Sequence, residues 1–190
     1  MYAITDCETT GLKVGTNEIL TIATIVVDHK FNELGRFLGK IKPEYENQWS
    51  EDAEAIHKIP LNEARNFNAS DRVLSNYIRF IGEFRDPIFV CHARPIRSKI
   101  DVFDYQLVFH WFFYAEKIFE FYKLFRDERC YSTIHRSPNY AKATWGVQDQ
   151  KLSTWMDKLN IPQDKHHDAM FDAEVCLEIL KFQKQQGSLF

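Results

Sequence analysis

Two carboxylates lie two positions apart near the N-terminus, at Asp6 and Glu8, in a segment whose composition predicts a β-strand. Alternate side chains of a strand share a face, so the two carboxylates would point the same way, ~6.6 Å apart at Cα, with Cys7 on the opposite face. Like charges held this close repel each other, and a cation between them removes the repulsion. The pair indicates a metal site; two solvated carboxylates at a strand end are the alternative.

A second polar group lies near the C-terminus, where His167 and Asp168 come just before or at the start of a predicted helix over 168–185. Asp172 lies one turn into that helix, and two alanines four positions apart leave a face that can approach another element closely. Packing of this helix against the first strand would bring Asp172 to the N-terminal acidic pair. The alternative is that His167 and Asp168 are exposed residues that cap the helix.

A third acidic residue, Asp104, lies among aromatic residues at the start of another predicted helix. An unpaired carboxylate on a buried face costs several kcal/mol, so Asp104 must be exposed, hydrogen-bonded or close to a cation. If the helix begins at Val102, Asp101 is its N-cap, and the helix dipole also accounts for Asp104. The segment 102–125 carries eleven aromatic residues. We interpret it as a core helix rather than a base-stacking platform.

The elements that must position these residues follow from hydrophobic periodicity and turn residues. Three strands followed by alternating helices and strands predict an α/β fold with a central mixed five-stranded sheet flanked by helices. The predicted strands cover 2–8, 19–27, 36–41, 88–91 and 130–134, and the predicted helices cover 50–57, 70–84, 101 or 102 to about 125, 148–159 and 168–185.

Composition and charge limit the function classes. The 190 residues are 45% hydrophobic and 27% charged, with a net charge of −3, which excludes a disordered chain and a strongly basic protein that coats duplexes. We expect one domain over residues 1–190, without a membrane span. The four cysteines are too widely spaced for a CxxC site, so we expect reduced thiols and a cytoplasmic protein.

In chain order, three segments resemble the three motifs of the DEDDh (DnaQ-like) 3′-to-5′ exonucleases, in particular the epsilon proofreading subunits of bacterial DNA polymerase III. They are Asp6-Cys7-Glu8-Thr9-Thr10-Gly11-Leu12, Phe103-Asp104-Tyr105-Gln106-Leu107 and His167-Asp168-Ala169-Met170-Phe171-Asp172-Ala173. The segment 55–59 is also similar to the family, with Lys58 where the family has Gly. One departure is that His92-Ala93 lacks the family's intervening Asn and is separated from Phe103 by a longer loop.

The resemblance implies an RNase H-like fold and a site for two divalent cations, Mg²⁺ or Mn²⁺. It assigns His167 as the general base that takes a proton from the attacking water. The metal ligands it implies, which are also catalytic, are Asp6, Glu8, Asp104 and Asp172. The residues it implies for contact with the terminal nucleotide are Thr9, Thr10 and Leu12.

The implied activity is release of nucleoside 5′-monophosphates from a free 3′ end that is single-stranded at its terminus, in DNA proofreading or repair. An RNase T-like exoribonuclease is one alternative, and a non-catalytic module that binds nucleic acid or a polymerase is another. A DNA polymerase subunit and a second copy of this chain are the candidate protein partners. In the longer loop, Arg94, Arg97 and Lys99 would either follow phosphates or remain solvated.

Overall fold

A computed structural model of the chain describes residues 1–93, 102–125, 130–164 and 167–187. Its centre is a five-stranded sheet with the strand order β3-β2-β1-β4-β5. The first three strands are antiparallel neighbours, whereas β4 and β5 run parallel to β1, so the predicted mixed sheet is confirmed. The strands are β1 Tyr2–Thr9, β2 Ile19–Val27, β3 Glu33–Lys40, β4 Ile88–Cys91 and β5 Cys130–Ser132.

Helices cover both faces of this sheet. One apolar cluster joins one face to α3, α4 and α5, and another joins the opposite face to α8. Strand β2, which lies between β3 and β1, is buried along its whole length, which accounts for its unbroken run of apolar and threonine residues. The helices are α1 Glu51–His57, α2 Leu61–Ala64, α3 Ser70–Gly82, α4 Phe103–Tyr114, α5 Ile118–Leu124, α6 Pro138–Trp145, α7 Leu152–Leu159 and α8 Ala169–Gln185.

The prediction of one long helix up to residue 125 is wrong, because the chain turns between α4 and α5. Glu116 in this turn has a φ of 58°, in the left-handed region. A straight helix buries one stripe of its surface, and this segment carries aromatic residues all round. Folding back allows Phe121 of α5 to pack on Tyr105 and Phe112 of α4, with ring centroids 5.3 and 5.4 Å apart.

Several boundaries also differ from those predicted. Helix α4 begins at Phe103 with Val102 at the N-cap, so the N-cap role expected for Asp101 is wrong. Asp101 itself lies outside the described residues, as do Arg94, Arg97 and Lys99. Strand β3 starts three residues early and β5 ends two residues early, while the helix predicted from 148 begins at Leu152. Helices α2 and α6 were not predicted.

The predictions for β1, β2, β4 and the start of α1 agree closely with the structure. Strands β2 and β4 have the predicted ends, and β1 extends one residue further. The Ser50 hydroxyl accepts a hydrogen bond from the Ala53 N–H at 3.3 Å, as an N-cap residue does. Across the described ranges, none of the helices combines the length and the apolar character needed to cross a bilayer.

Candidate active site

Strand β1 places Asp6 and Glu8 on the same face of the sheet, the face that α8 covers. Cys7 points to the opposite face and is buried in the cluster around α4, as the strand alternation predicts. The pairing of β1 with β2 shifts register between Glu8 and Thr9. Such irregularities re-aim side chains at the ends of strands, here immediately after the acidic pair.

Helix α8 brings Asp172 to this pair. Ala169 and Ala173 are buried against β1 and β2, so the first turns of the helix approach the sheet closely. One carboxylate oxygen from each of Asp6, Glu8 and Asp172 lies within 4.8 Å of the other two. The three acids predicted to meet from opposite ends of the chain therefore do so.

Asp104 reaches the same region from α4, on the opposite face of the sheet, and is only 5% exposed. Its carboxylate accepts hydrogen bonds from the backbone N–H of Cys7 and from its own N–H, which lower its pKa. Burial acts more strongly and raises the pKa of Asp104 to about 7. Within the described residues, the tight set of oxygens consists of the other three acids. Asp104 therefore lies beside the set rather than in it.

Burial and mutual repulsion strongly disfavour ionisation of this cluster. The pKa of Glu8 is raised to about 8, by burial first and then by the charges of Asp172 and Asp104. The pKa of Asp6 is raised well above its ordinary value by burial and by the charge of Asp104. A bound divalent cation would favour the ionised forms, and carboxylate oxygens are the ligands that Mg²⁺ and Mn²⁺ prefer. The donor set therefore fits a hard divalent ion.

His167 lies at the same end of the sheet, directly before the N-cap residue of α8. Its backbone N–H donates a hydrogen bond to Asp172 Oδ2 at 3.1 Å, and its φ is 73°. A residue other than glycine in this left-handed conformation costs about 1–2 kcal/mol, which the surrounding structure must offset. Asp168 caps α8 by accepting from the Phe171 N–H at 3.0 Å. Asp168 therefore caps the helix, as the alternative interpretation predicts. His167, in contrast, is hydrogen-bonded through its backbone to Asp172 of the acidic cluster.

His57 is a residue of this site to which sequence reasoning assigned no role. It ends α1, is 7% exposed, and lies close enough to His167 for that charge to lower its pKa further, in addition to the larger effect of burial. Its Nδ1 accepts from the Ile59 N–H at 3.0 Å. Its Nε2 is buried near the Thr9 carbonyl, and no hydrogen bond of ordinary geometry satisfies it within the described residues. The similarity of segment 55–59 to the family was the available signal.

Lys58 supports that similarity despite the missing glycine. It occupies the C-cap position of α1 with a φ of 57°, and its N–H donates to the Glu54 carbonyl. This is the left-handed conformation in which helices commonly end on glycine. The left-handed backbone conformation that follows His57 at the end of α1 therefore forms with lysine at position 58.

A cleft of about 650 Å³ opens beside Glu8. Leu12 and Ile56 project into its solvent side and are 79% and 47% exposed. The ring-bearing side chains that line it are Trp49, His57 and Phe103, and the charged residues Lys13 and Asp52 line it as well. The cleft therefore offers apolar walls next to a cluster of acids.

The hydroxyls of Thr9 and Thr10 form hydrogen bonds within the loop that follows β1. Thr9 Oγ1 donates to the Gly11 carbonyl at 2.7 Å. Thr10 Oγ1 accepts from the Glu18 N–H at 2.9 Å and from the Asn17 amide at 3.3 Å. Of the three residues predicted to meet a nucleotide, Leu12 has the exposed side chain, and contacts from Thr9 or Thr10 remain a prediction.

His92, in the segment that departs from the family pattern, ties β4 to its neighbours. Its Nδ1 and the Thr133 hydroxyl are 2.6 Å apart, and its Nε2 lies 2.8 Å from the Gln150 carbonyl. Both ring nitrogens are thus engaged in interactions with other parts of the protein.

A sequence model described as exonuclease matches residues 3–180. The chain belongs to the exonuclease family. No curated protein matches the sequence. The fold is the RNase H-like exonuclease fold predicted above, because solved exonucleases superpose on almost the whole chain.

One such structure is E. coli Exonuclease I in complex with a dT13 oligonucleotide, with a TM-score of 0.78, 16% identity and coverage of 97% of this chain and 41% of that one. Another is the nuclease domain of 3′hExo, a DEDDh family member, bound to rAMP. Its TM-score is 0.66 at 14% identity, with coverage of 100% of this chain and 94% of that domain. The chain thus spans about 40% of Exonuclease I. The more specific resemblance to epsilon subunits remains a prediction.

The raised pKa of Glu8 predicts how the metal-free protein responds to pH. Because its folded pKa is about 8 against an ordinary 4.5, the stability it contributes is present below pH 4.5 and is lost as pH rises to 8. We expect the melting temperature in EDTA to fall between pH 5 and pH 8, and saturating Mn²⁺ to restore it at pH 8.

Glu8→Gln is the matched control, since glutamine keeps the shape and cannot ionise. In EDTA this variant should melt above the wild type at pH 8 and show a shallower fall with pH. Identical slopes for the two proteins would contradict the assignment of the repulsion to Glu8.

Proposed function

We propose that this chain is a metal-dependent 3′-to-5′ exonuclease that releases nucleoside 5′-monophosphates from a 3′ end that is single-stranded at its terminus. The observation that carries the proposal is the meeting of Asp6, Glu8 and Asp172 within 4.8 Å, beside His167 and a cleft large enough for a nucleotide. Residues 1–190 would form one exonuclease domain. All four acids and the histidine are present, which argues against a non-catalytic module on this fold.

The acids would hold two divalent cations, Mg²⁺ or Mn²⁺, with Asp104 acting from beside the tight set. When bound, such ions stabilise the charge that develops on the attacking and leaving oxygens of a phosphoryl displacement. The side chains supply the geometry: Asp6 and Glu8 are fixed by the sheet and Asp172 by a buried helix. The zinc-bound form of the complex of E. coli Exonuclease I with single-stranded DNA supports the proposal of a divalent ion here.

His167 would act as the general base. An ordinary imidazole exchanges a proton near neutral pH, which suits removal of a proton from water. The hydrogen bond from its backbone to Asp172 fixes its position relative to the acids. His57 is the competing base, but burial lowers its pKa and keeps it neutral at lower pH.

The cleft would receive the terminal nucleotide, with its base packed against Leu12 and Ile56. We propose DNA as the substrate, since Exonuclease I is seen with DNA oligonucleotides. The second candidate is an RNase T-like exoribonuclease, favoured by the rAMP bound to the 3′hExo domain, which the chain matches over nearly its full length. A polymerase subunit or a second copy as a protein partner remains a prediction.

Digestion of matched labelled DNA and RNA strands, single- and double-stranded, tests this function. With Mg²⁺ or Mn²⁺ we expect a ladder of shortened single strands, nucleoside 5′-monophosphates as products, faster cleavage of DNA, and no products in EDTA. The absence of a ladder with every substrate would overturn the proposal. Faster cleavage of RNA would select the second candidate.

Asp172→Asn tests the ligand role. Loss of one carboxylate from the cluster should reduce activity at least a hundredfold and weaken Mn²⁺ binding in calorimetry, while the apo protein remains folded. Asp168→Asn makes the same chemical change four residues away, at the N-cap, where asparagine caps equally well. This control should retain most activity and metal affinity. Equal Mn²⁺ affinity in both variants and the wild type would refute the role of Asp172.

His167→Ala should lower kcat by about 10²–10⁴-fold, the size of a general-base contribution, and still bind Mn²⁺. The wild-type rate should fall as pH drops below about 6.5. If His57 were the base, His57→Ala would be the inactive variant and the rate would fall only at lower pH. A His167→Ala enzyme that retains a tenth of wild-type kcat would remove His167 from this role.

A further inference from the structure

The aromatic residues of α4 and α5 are sorted by the fold into an inner and an outer set. The inner set, exemplified by Tyr105, Phe112 and Phe121, is buried as predicted for a core helix. The outer set lies in solvent: Phe113 is 53% exposed, Tyr114 65% and Tyr122 44%. Large exposed rings grouped together are uncommon on a soluble protein and indicate a contact surface.

Three of these exposed rings, Phe113, Tyr114 and Tyr122, form one connected row through Phe109; Phe119, which is 76% exposed, is not counted in it. Phe113 lies 5.7 Å from Tyr114 and 6.4 Å from the partly buried Phe109, centroid to centroid. Phe109 in turn lies 6.3 Å from Tyr122. We refer to Phe109, Phe113, Tyr114 and Tyr122 as the aromatic ridge.

The ridge connects to the active site through the loop after β1. The Tyr114 hydroxyl donates to the Gly15 carbonyl at 2.9 Å, in the loop that carries the exposed Leu12. A second cleft of about 520 Å³ lies between this loop and α4 and is lined by Tyr114. It shares Thr16, Asn17 and Gln48 with the cleft beside Glu8. The surface is therefore continuous from the candidate metal site to the ridge.

The charges of the second cleft disfavour contact with phosphates, whereas the cleft beside Glu8 includes Lys13 in its lining. The second cleft is lined by the carboxylates of Glu18, Glu44 and Asp71, with no Lys or Arg among its described lining residues. Next to the ridge, Lys117 lies 4.0 Å from Glu120, which offsets its charge. A strand that follows this path would turn its phosphates to solvent and its bases to the rings.

We propose that the aromatic ridge binds the bases of the single strand whose 3′ end occupies the active site, which rests on the function proposed above. Phe113 lies nine residues along α4 from Asp104, or ~13.5 Å at a rise of ~1.5 Å per residue. A stacked strand advances ~3.4 Å per nucleotide, so the ridge is reached about four nucleotides from the terminus. Stacking on rings tolerates every base, so the ridge would select single-stranded substrate of sufficient length without reading sequence.

Binding of labelled single strands in EDTA tests this directly, by fluorescence anisotropy. Phe113→Ala and Tyr122→Ala should each raise the Kd of a twelve-nucleotide strand at least fivefold and leave that of a trinucleotide unchanged. Phe113→Trp should bind the twelve-nucleotide strand as tightly as the wild type does, since tryptophan keeps an aromatic ring at this position. Leu38→Ala, which removes an equally exposed apolar side chain from β3, is the control and should bind as the wild type does.

Two further measurements separate stacking from other causes. Replacing the bases about four to six nucleotides from the 3′ end by abasic units should reproduce the loss, and the slope of log Kd against log salt should not change in the ridge variants. Equal binding of the twelve-nucleotide strand by wild type and both alanine variants would overturn the inference. Equal binding together with loss of self-association in sedimentation would identify a second copy as the occupant instead.

Digestion of the trinucleotide with Mn²⁺, measured in parallel, keeps this result separate from the proposed function. Cleavage of the trinucleotide by every variant, with unchanged binding of the longer strand, would refute the ridge alone. Absence of cleavage by the wild type would refute the nuclease proposal, whatever the binding data show.

Discussion

Mutual repulsion among the carboxylates at the end of β1 is the constraint on which the rest of this structure depends. Four acids from β1, α4 and α8 meet where burial already disfavours charge, and the charges of Asp104 and Asp172 raise the cost of ionising both Asp6 and Glu8. The fold tolerates them because the elements that carry them are anchored in apolar clusters on both faces of the sheet. Stability is thus given up locally, and the cations of the proposed function would recover it, which would link occupancy of the site to folding.

The start of α8 shows how the chain reduces that cost. Asp168 caps the helix, and Asp172 lies in the first turn, where the partial positive charge of the helix N-terminus favours a carboxylate by about 0.3–1 kcal/mol. Ala169 and Ala173 let this turn approach the sheet. The left-handed backbone at His167 then directs an N–H to Asp172. The N-cap, the helix dipole, the small residues and the backbone conformation of His167 all help to position or stabilise the carboxylate of Asp172.

Much of this arrangement could be predicted because the signals are local. Alternation placed Asp6 and Glu8 on one face, a β-branched run delimited β2, and a short apolar run delimited β4. His57 could not be placed in the same way, since tertiary packing alone brings the end of α1 to His167. The turn after α4 also has no local signal, because Ala115-Glu116-Lys117 contains neither Gly nor Pro. In α6, by contrast, Ser137-Pro138 and Gly146 are ordinary helix limits that the prediction overlooked.

The turn between α4 and α5 determines which aromatic residues of segment 102–125 are buried. A left-handed residue at Glu116 costs about 1–2 kcal/mol. Burial of large rings such as Phe121 and Phe125 offsets it, at about 1.5–3 kcal/mol for each. Packing therefore explains the inner rings, and the hydrogen bond from the Tyr114 hydroxyl to the Gly15 carbonyl accounts for that side chain. Neither explains Phe113, which remains in solvent on a helix whose inner face is already filled. A polar residue at Phe113 would leave the core intact and improve solubility, and the proposed stacking of bases supplies a reason for a ring at this position.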